Sequence, residues 1–140
     1  MKKNPTVLLV VGGALQRADG RWLMHQRPLN KHHGGLWEFP GGKVETHENT
    51  KEALSRELGE ELAINIDSGS FSQAGFAVEQ CAGDGARIVI LLYISRQWEG
   101  EPHAVEGEAI GWFTPEQILE LSKPPLDCEL AEQLFLKEVG

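Results

Sequence analysis

The sequence predicts an α/β fold in which a mixed β-sheet is sandwiched between α-helices. Three observations carry this reading. Apolar runs of strand length, above all at 5–15 and within 86–97, are interspersed with helical patterns. Two capping signatures, Asn49 with Glu52 and Thr114 with Gln117, open helical stretches. No repeat, low-complexity tract or linker divides the 140 residues, so one domain is expected over 1–140. A composition of 41% hydrophobic and 24% charged residues suits a globular chain with a single core.

Residues 5–15 read as a buried strand, and Ala18-Asp19-Gly20 as the hairpin turn that returns the chain into a second strand over 21–27. The opening Met1-Lys2-Lys3-Asn4 and the apolar run behind it mimic a signal peptide. That run is too short to span a membrane and lacks a small-residue cleavage site, so it is read as the first core strand of a cytoplasmic protein. Residues 28–35 form a polar loop, and 36–45 an extended segment broken by Pro40-Gly41-Gly42, glycines that let backbone approach a ligand. A helix follows with Asn49 as N-cap, burying Leu54, Leu58 and Leu62 on one stripe. Strands are expected near 70–80 and 86–97, the latter nearly all apolar as a central strand should be, and a short one near 109–113. Thr114-Pro115-Glu116-Gln117 starts a short helix with proline at its first position, and a last amphipathic helix runs from about Asp127 to Lys137.

A net charge of −8 disfavours binding to a nucleic-acid polymer, which needs a basic face. Cys81 and Cys128 lie far apart with no CxxC and no histidine at metal spacing, and read as ordinary reduced thiols. An acidic chain that handles phosphates needs divalent cations to bridge the like charges.

The informative stretch is Gly42 to Ile64. On the helix, Glu57, Glu60 and Glu61 stand at i, i+3 and i+4, so they share one face adjacent to the leucine stripe. Ala53 points the same way one turn earlier, and its small side chain is expected to leave room for a ligand. Mutual repulsion of such carboxylates costs a few tenths of a kcal/mol per pair, and Arg56 is the only basic residue between 52 and 64 to relieve it. Hard oxygen donors gathered without cationic partners suit Mg²⁺ or Mn²⁺.

With Gly42, Glu48 and Arg56 added at fixed spacing, the stretch resembles the Nudix box, G-x5-E-x7-R-E-U-x-E-E-x-G-U with U aliphatic, at every position but Ala63, where the family has glycine. Leu36-Trp37-Glu38-Phe39-Pro40-Gly41-Gly42-Lys43-Val44-Glu45 and Gln97-Trp98-Glu99-Gly100-Glu101-Pro102 extend the likeness to the MutT-type branch, so it covers most of the chain. The resemblance implies a Nudix fold and a metal-dependent hydrolase of nucleoside triphosphates. It implies metal ligands at Glu57, Glu60, Glu61 and the Gly41 carbonyl, and a supporting pair, Glu48 and Arg56, bracing the loop that starts at Gly42. A further glutamate precedes the last strand in this branch; Glu106 matches it best, with Glu108 as a competitor. Either Glu57 or Glu106 would be the general base.

Lys43 is a candidate for a phosphate. By resemblance Arg27, Phe39 and Asp127 would surround the base, although Asp127 reads equally as an N-cap. His32 and His33 read as exposed loop residues. Members of this branch include 8-oxo-dGTP diphosphatases and CTP pyrophosphohydrolases, and the sequence leaves 8-oxo-dGTP and CTP or dCTP both open, with 8-oxo-dGTP first. Markers of hydrolases acting on ADP-ribose or dinucleoside polyphosphates are replaced by Glu79, Gln80 and Cys81. A non-catalytic nucleotide-binding module is the reading of a different class, disfavoured by the full set of glutamates. Partners other than the nucleotide are not expected, and the chain is read as a monomer or homodimer.

Overall fold

The apolar run at the start of the chain becomes the centre of the larger of two sheets. In the computed structural model, which describes residues 6–80 and 87–136, β1 (Val7–Leu15) lies parallel to β6 (Arg87–Ser95), paired from Val7 with Arg87 to Leu15 with Ser95. β5 (Ser72–Gln80) flanks β6 and β4 (Gly41–Lys43) flanks β1, both antiparallel, giving the order β4-β1-β6-β5. A second, wholly antiparallel sheet has the order β3-β2-β7, made of Trp37–Glu38, Trp22–Gln26 and Ala109–Phe113. The expected mixed sheet is therefore present, with a separate three-stranded partner that apolar periodicity alone does not distinguish.

Alternation along β1 explains the sandwich. Val11 and Leu15 pack with Leu54, Leu58 and Leu62 of α1 (Thr50–Leu62). Ala14, one residue out of phase, joins the opposite cluster with Ile118 of α2 (Pro115–Glu120) and Leu130 of α3 (Pro125–Leu136). The three leucines of α1 are fully buried, each worth roughly 1.5–3 kcal/mol against exposure. Ala53 also belongs to this cluster at 0% exposure, so it packs in the core and leaves no space for a ligand, contrary to the reading from helical angles.

Both capping boxes form. Asn49 Oδ1 accepts from the Glu52 amide at 2.9 Å while the Asn49 amide donates to Glu52 Oε1 at 3.1 Å. Thr114 Oγ1 accepts from the Gln117 amide at 3.2 Å, returned at 2.9 Å. The last helix starts at Pro125 rather than near Asp127, as proline suits a first helical position; Asp127 thus lies inside the first turn and is not an N-cap. Lys137, its expected end, and Cys81 lie outside the described residues.

α1 ends at Ala63, which adopts left-handed φ 61 and ψ 34, the conformation the family glycine would hold freely. The carbonyls left open by this ending are taken by the segment after β6. His103 donates its amide to Leu62 O at 2.9 Å and Val105 to Glu61 O at 3.0 Å. Asn65 and Glu99 exchange two backbone bonds at 2.9 and 2.8 Å. Alanine in this conformation costs about 1–2 kcal/mol, partly offset because glycine orders a freer unfolded chain. Ala63→Gly is expected to gain roughly 0.5–1 kcal/mol with turnover unchanged. A fall in melting temperature would overturn this account.

Candidate active site

The acidic face of α1 is pressed against the Gly41-Gly42 backbone, and this contact organises the site. A Cβ on Gly42 would collide with the Glu57 carboxylate, and one on Gly41 with the Val11 carbonyl, so both positions need glycine for close approach. Arg56 stands on the outer side of this face and ties it together. Its Nε donates to Glu48 Oε2 at 2.6 Å and Nη2 to Glu48 Oε1 at 3.0 Å, a two-pronged pair. Nη1 donates to Glu57 Oε1 at 2.8 Å and to Glu60 Oε1 at 3.3 Å, and Nη2 also reaches the Lys43 carbonyl at 3.1 Å. The Arg56 guanidinium holds the Glu48 carboxyl at about 2, well below the usual range, and its own pKa is raised chiefly by Glu48. Through these contacts Arg56, on α1, is bonded to Glu48 and to the Lys43 carbonyl of the preceding segment.

Glu61 is different. It is 8% exposed, and its Oε1 has no hydrogen-bond partner. Burial, then the nearby charges of Glu38, Glu57 and Glu106, push its carboxyl up to about 9, against a lowering backbone hydrogen bond from Gly41. Burial also raises Glu57, against Arg56. A buried, partnerless carboxylate oxygen amid three further carboxylates asks for a proton or a cation. The donor set, hard oxygens with a buried orphan at its centre, fits a divalent ion. Glu106, on the segment fastened to the end of α1, lines the cleft beside Glu61, whereas Glu108 Oε1 accepts from the Leu29 amide at 3.3 Å. The structure therefore separates the two competitors.

The cleft itself has a volume of about 540 Å³. Arg27, Lys31, Lys43 and Asp127 line it together with Glu61 and Glu106, and Phe39, Gly41 and Gly42 complete one wall. Phe39 is only 3% exposed and its ring belongs to the core, so it presents mainly backbone; its amide donates to Asp127 Oδ2 at 3.0 Å. Burial raises Asp127 to about 7. Neither Glu57 nor Glu60 lines the cleft directly; Glu57 borders it beside Gly42, and Glu60, about half exposed, meets Arg56. The rings of His32 and His33 lie 3.8 Å apart, tilted by 43°, in the loop before β3 and do not line the cleft. A larger depression of about 730 Å³ near Ser55, Asp67 and Trp98 holds none of the box carboxylates.

Sequence reasoning passed over three cleft residues: Lys31, Glu38 and His25. His25 and Glu38 are direct cross-strand partners of β2 and β3, with His25 Nδ1 3.1 Å from Glu38 Oε2 and 3.7 Å from Glu61 Oε1. Glu38 Oε1 in turn accepts from Arg27 Nη1 at 2.8 Å. The available signal was period two: His25 and Arg27 share a strand face, and Glu38 directly precedes the Phe39-Pro40-Gly41-Gly42 segment.

Among the described residues, no helix is long and apolar enough to cross a membrane. The NUDIX domain family model matches residues 7–134. The CTP pyrophosphohydrolase of Escherichia coli (strain K12) is 36% identical over 125 residues, covering 89% of this chain and 90% of that protein. The 8-oxo-dGTP diphosphatase of Buchnera aphidicola subsp. Acyrthosiphon pisum is 37% identical over 82 residues, covering 59% and 63% respectively. A MutT NUDIX hydrolase from Burkholderia pseudomallei superposes with a TM-score of 0.81 at 30% identity, covering 92% of this chain and 98% of that one. With the box glutamates gathered on one face and the match running nearly end to end, the chain belongs to the Nudix hydrolase family, among relatives of the MutT type.

Proposed function

We propose that this chain is a Mg²⁺-dependent nucleoside triphosphate pyrophosphohydrolase that releases nucleoside monophosphate and pyrophosphate, acting on 8-oxo-dGTP in the cytoplasm to clean the nucleotide pool and limit replication errors. The observation that carries this reading is the orphaned, buried Glu61 oxygen at the edge of a cleft that also holds Lys31, Lys43 and Arg27. Carboxylates alone would repel a triphosphate; carboxylates with a divalent ion, and lysines beyond them, receive one. Glu57, Glu60, Glu61, Glu106 and the Gly41 carbonyl would hold Mg²⁺, with Mn²⁺ able to replace it. When bound, the ion neutralises phosphate oxygens and acidifies water.

The chain's own residues supply the rest. Arg56 keeps the Glu57 carboxylate turned toward Gly42 rather than to solvent. Glu57 or Glu106 takes the proton from the attacking water, whose oxygen bonds to the β-phosphorus as the bridging oxygen departs with the nucleoside monophosphate. Lys43 neutralises phosphate charge at the cleft rim. Asp127 and the Phe39 backbone, already hydrogen-bonded to each other, form the end of the cleft suited to a base.

A second reading, CTP or dCTP as substrate, is favoured by the name and 36% identity of the Escherichia coli relative. Asp127 serves either: ionised, it accepts from the cytosine amine or a purine N–H; protonated, it donates.

Pyrophosphate release on 8-oxo-dGTP, dGTP, CTP and dCTP with Mg²⁺, ranked by kcat/KM, is expected to favour 8-oxo-dGTP. Preference for the cytosine nucleotides moves the assignment to the second reading, and no release from any nucleotide points to a binding module. Glu57→Gln and Glu61→Gln are expected to remain folded and lose at least about 100-fold in turnover; near-parental rates sink the site.

The Asp127 carboxyl is raised from 3.8 to about 7 in the fold, so the native state holds a proton that the unfolded chain has released between those values. Stability is therefore lost as pH rises through that window. Asp127→Asn is expected to stabilise on the order of 1–2 kcal/mol near pH 8, and the gain to vanish below about pH 4. Identical pH profiles of melting temperature for the two proteins would refute the assigned cost.

A further inference from the structure

The Nudix box supplies oxygen donors only, yet its most buried carboxylate faces an imidazole from another sheet. His25 is 3% exposed, and its Nδ1 lies 3.1 Å from Glu38 Oε2 and 3.7 Å from Glu61 Oε1. One donor atom from each of the three residues falls within 4.8 Å of the others. Two ligands bound to one ion at about 2.1 Å stand about 3.0 Å apart at a right angle and about 3.4 Å at a tetrahedral one. The His25–Glu38 separation is already within this range, and the His25–Glu61 separation exceeds it by about 0.3 Å.

A plain hydrogen bond does not account for the group. A single Nδ1 proton satisfies Glu38 at 3.1 Å and leaves Glu61 Oε1 buried without a partner. Two carboxylates then face one imidazole nitrogen, and a cation answers both where one proton answers one. Arg27 holds the other Glu38 oxygen at 2.8 Å, which turns Oε2 toward His25. Nε2 lies against Gly107, where a Cβ would collide with the ring, so the loop bearing Glu106 closes directly over the cluster. Glu106 thus stands next to the cluster as a further oxygen donor.

We infer that His25, Glu38 and Glu61 form a nitrogen-containing cation site that adjoins the box, shares Glu61 with the proposed magnesium ligands, and takes a borderline divalent ion such as Mn²⁺ or Zn²⁺. Imidazole beside carboxylates favours these ions, whereas Mg²⁺ favours an all-oxygen set. The inference rests on the metal-dependent reading only in sharing Glu61.

The test uses the metal-stripped full-length protein loaded with Mn²⁺ and read by electron spin-echo modulation. Modulation from a directly bound ¹⁴N is expected, to be replaced by a ¹⁵N pattern in protein grown on ¹⁵N-histidine and lost in His25→Ala. In calorimetry, His25→Ala is expected to weaken Mn²⁺ by about tenfold or more while Mg²⁺ changes less than about threefold. Should His25→Ala fail to fold, a variant with His32, His33, His47 and His103 all replaced by Gln, leaving His25 as the sole histidine, must keep the signal. Mn²⁺ bound without nitrogen modulation overturns this site and leaves the proposed hydrolase standing. No Mn²⁺ binding at all overturns this site, and absent Mg²⁺-stimulated pyrophosphate release would take the broader reading with it.

Discussion

A buried carboxyl group whose Oε1 has no hydrogen-bond partner is the constraint around which this molecule is arranged. Glu61 lies among Glu38, Glu57 and Glu106, so burial first and those charges second oppose its ionisation, which costs stability. It persists because the helix that carries it is anchored elsewhere: Leu54, Leu58 and Leu62 are fully buried against β1, and Arg56 draws Glu48, Glu57 and Glu60 toward one guanidinium. Hydrophobic burial on one side of α1 offsets electrostatic strain on the other. Gly41 and Gly42 then allow the strain to be localised, since any side chain there would displace the carboxylates.

Three separate parts of the chain meet at this point. α1 brings the box glutamates, the β2–β3 pair brings His25, Arg27 and Glu38, and the segment between β6 and β7 brings Glu106. The last of these is held by the very carbonyls that α1 leaves open as it ends at Ala63. The irregular residue of the box is therefore coupled to the placement of Glu106, some forty positions later, through backbone hydrogen bonds rather than through its own side chain.

The charge pattern has a local logic as well. A chain of net charge −8 still collects Arg27, Lys31 and Lys43 along one cleft and sets them beside its densest carboxylates. Basic residues alone would hold a phosphate without acting on it, and carboxylates alone would exclude it. In the proposed reading, a divalent ion between the two sets would let one cleft serve both binding and hydrolysis. At the far end, Asp127 is buried and bonded to the Phe39 amide, so a single side chain ties α3 to the backbone leading into Gly41-Gly42.

What was legible from the sequence alone is whatever depends on neighbours three or four residues apart. The shared face of Glu57, Glu60 and Glu61 and the capping of α1 and α2 follow from local geometry, whereas the pairing of Glu48 with Arg56 came only from the family resemblance. Helical angles set Ala53 on the glutamate face beside a ligand, but it packs in the core with Leu54 and Leu58. The start of α3 at Pro125 removed Asp127 from the capping position, because a proline can open a helix before a stronger cap does. Only the tertiary structure set Glu106 in the cleft and Glu108 against the Leu29 amide, and joined His25 to Glu38 and Glu61. Strand register and loop closure decide those contacts, and both are set by burial of residues far apart in the chain, which no local pattern encodes.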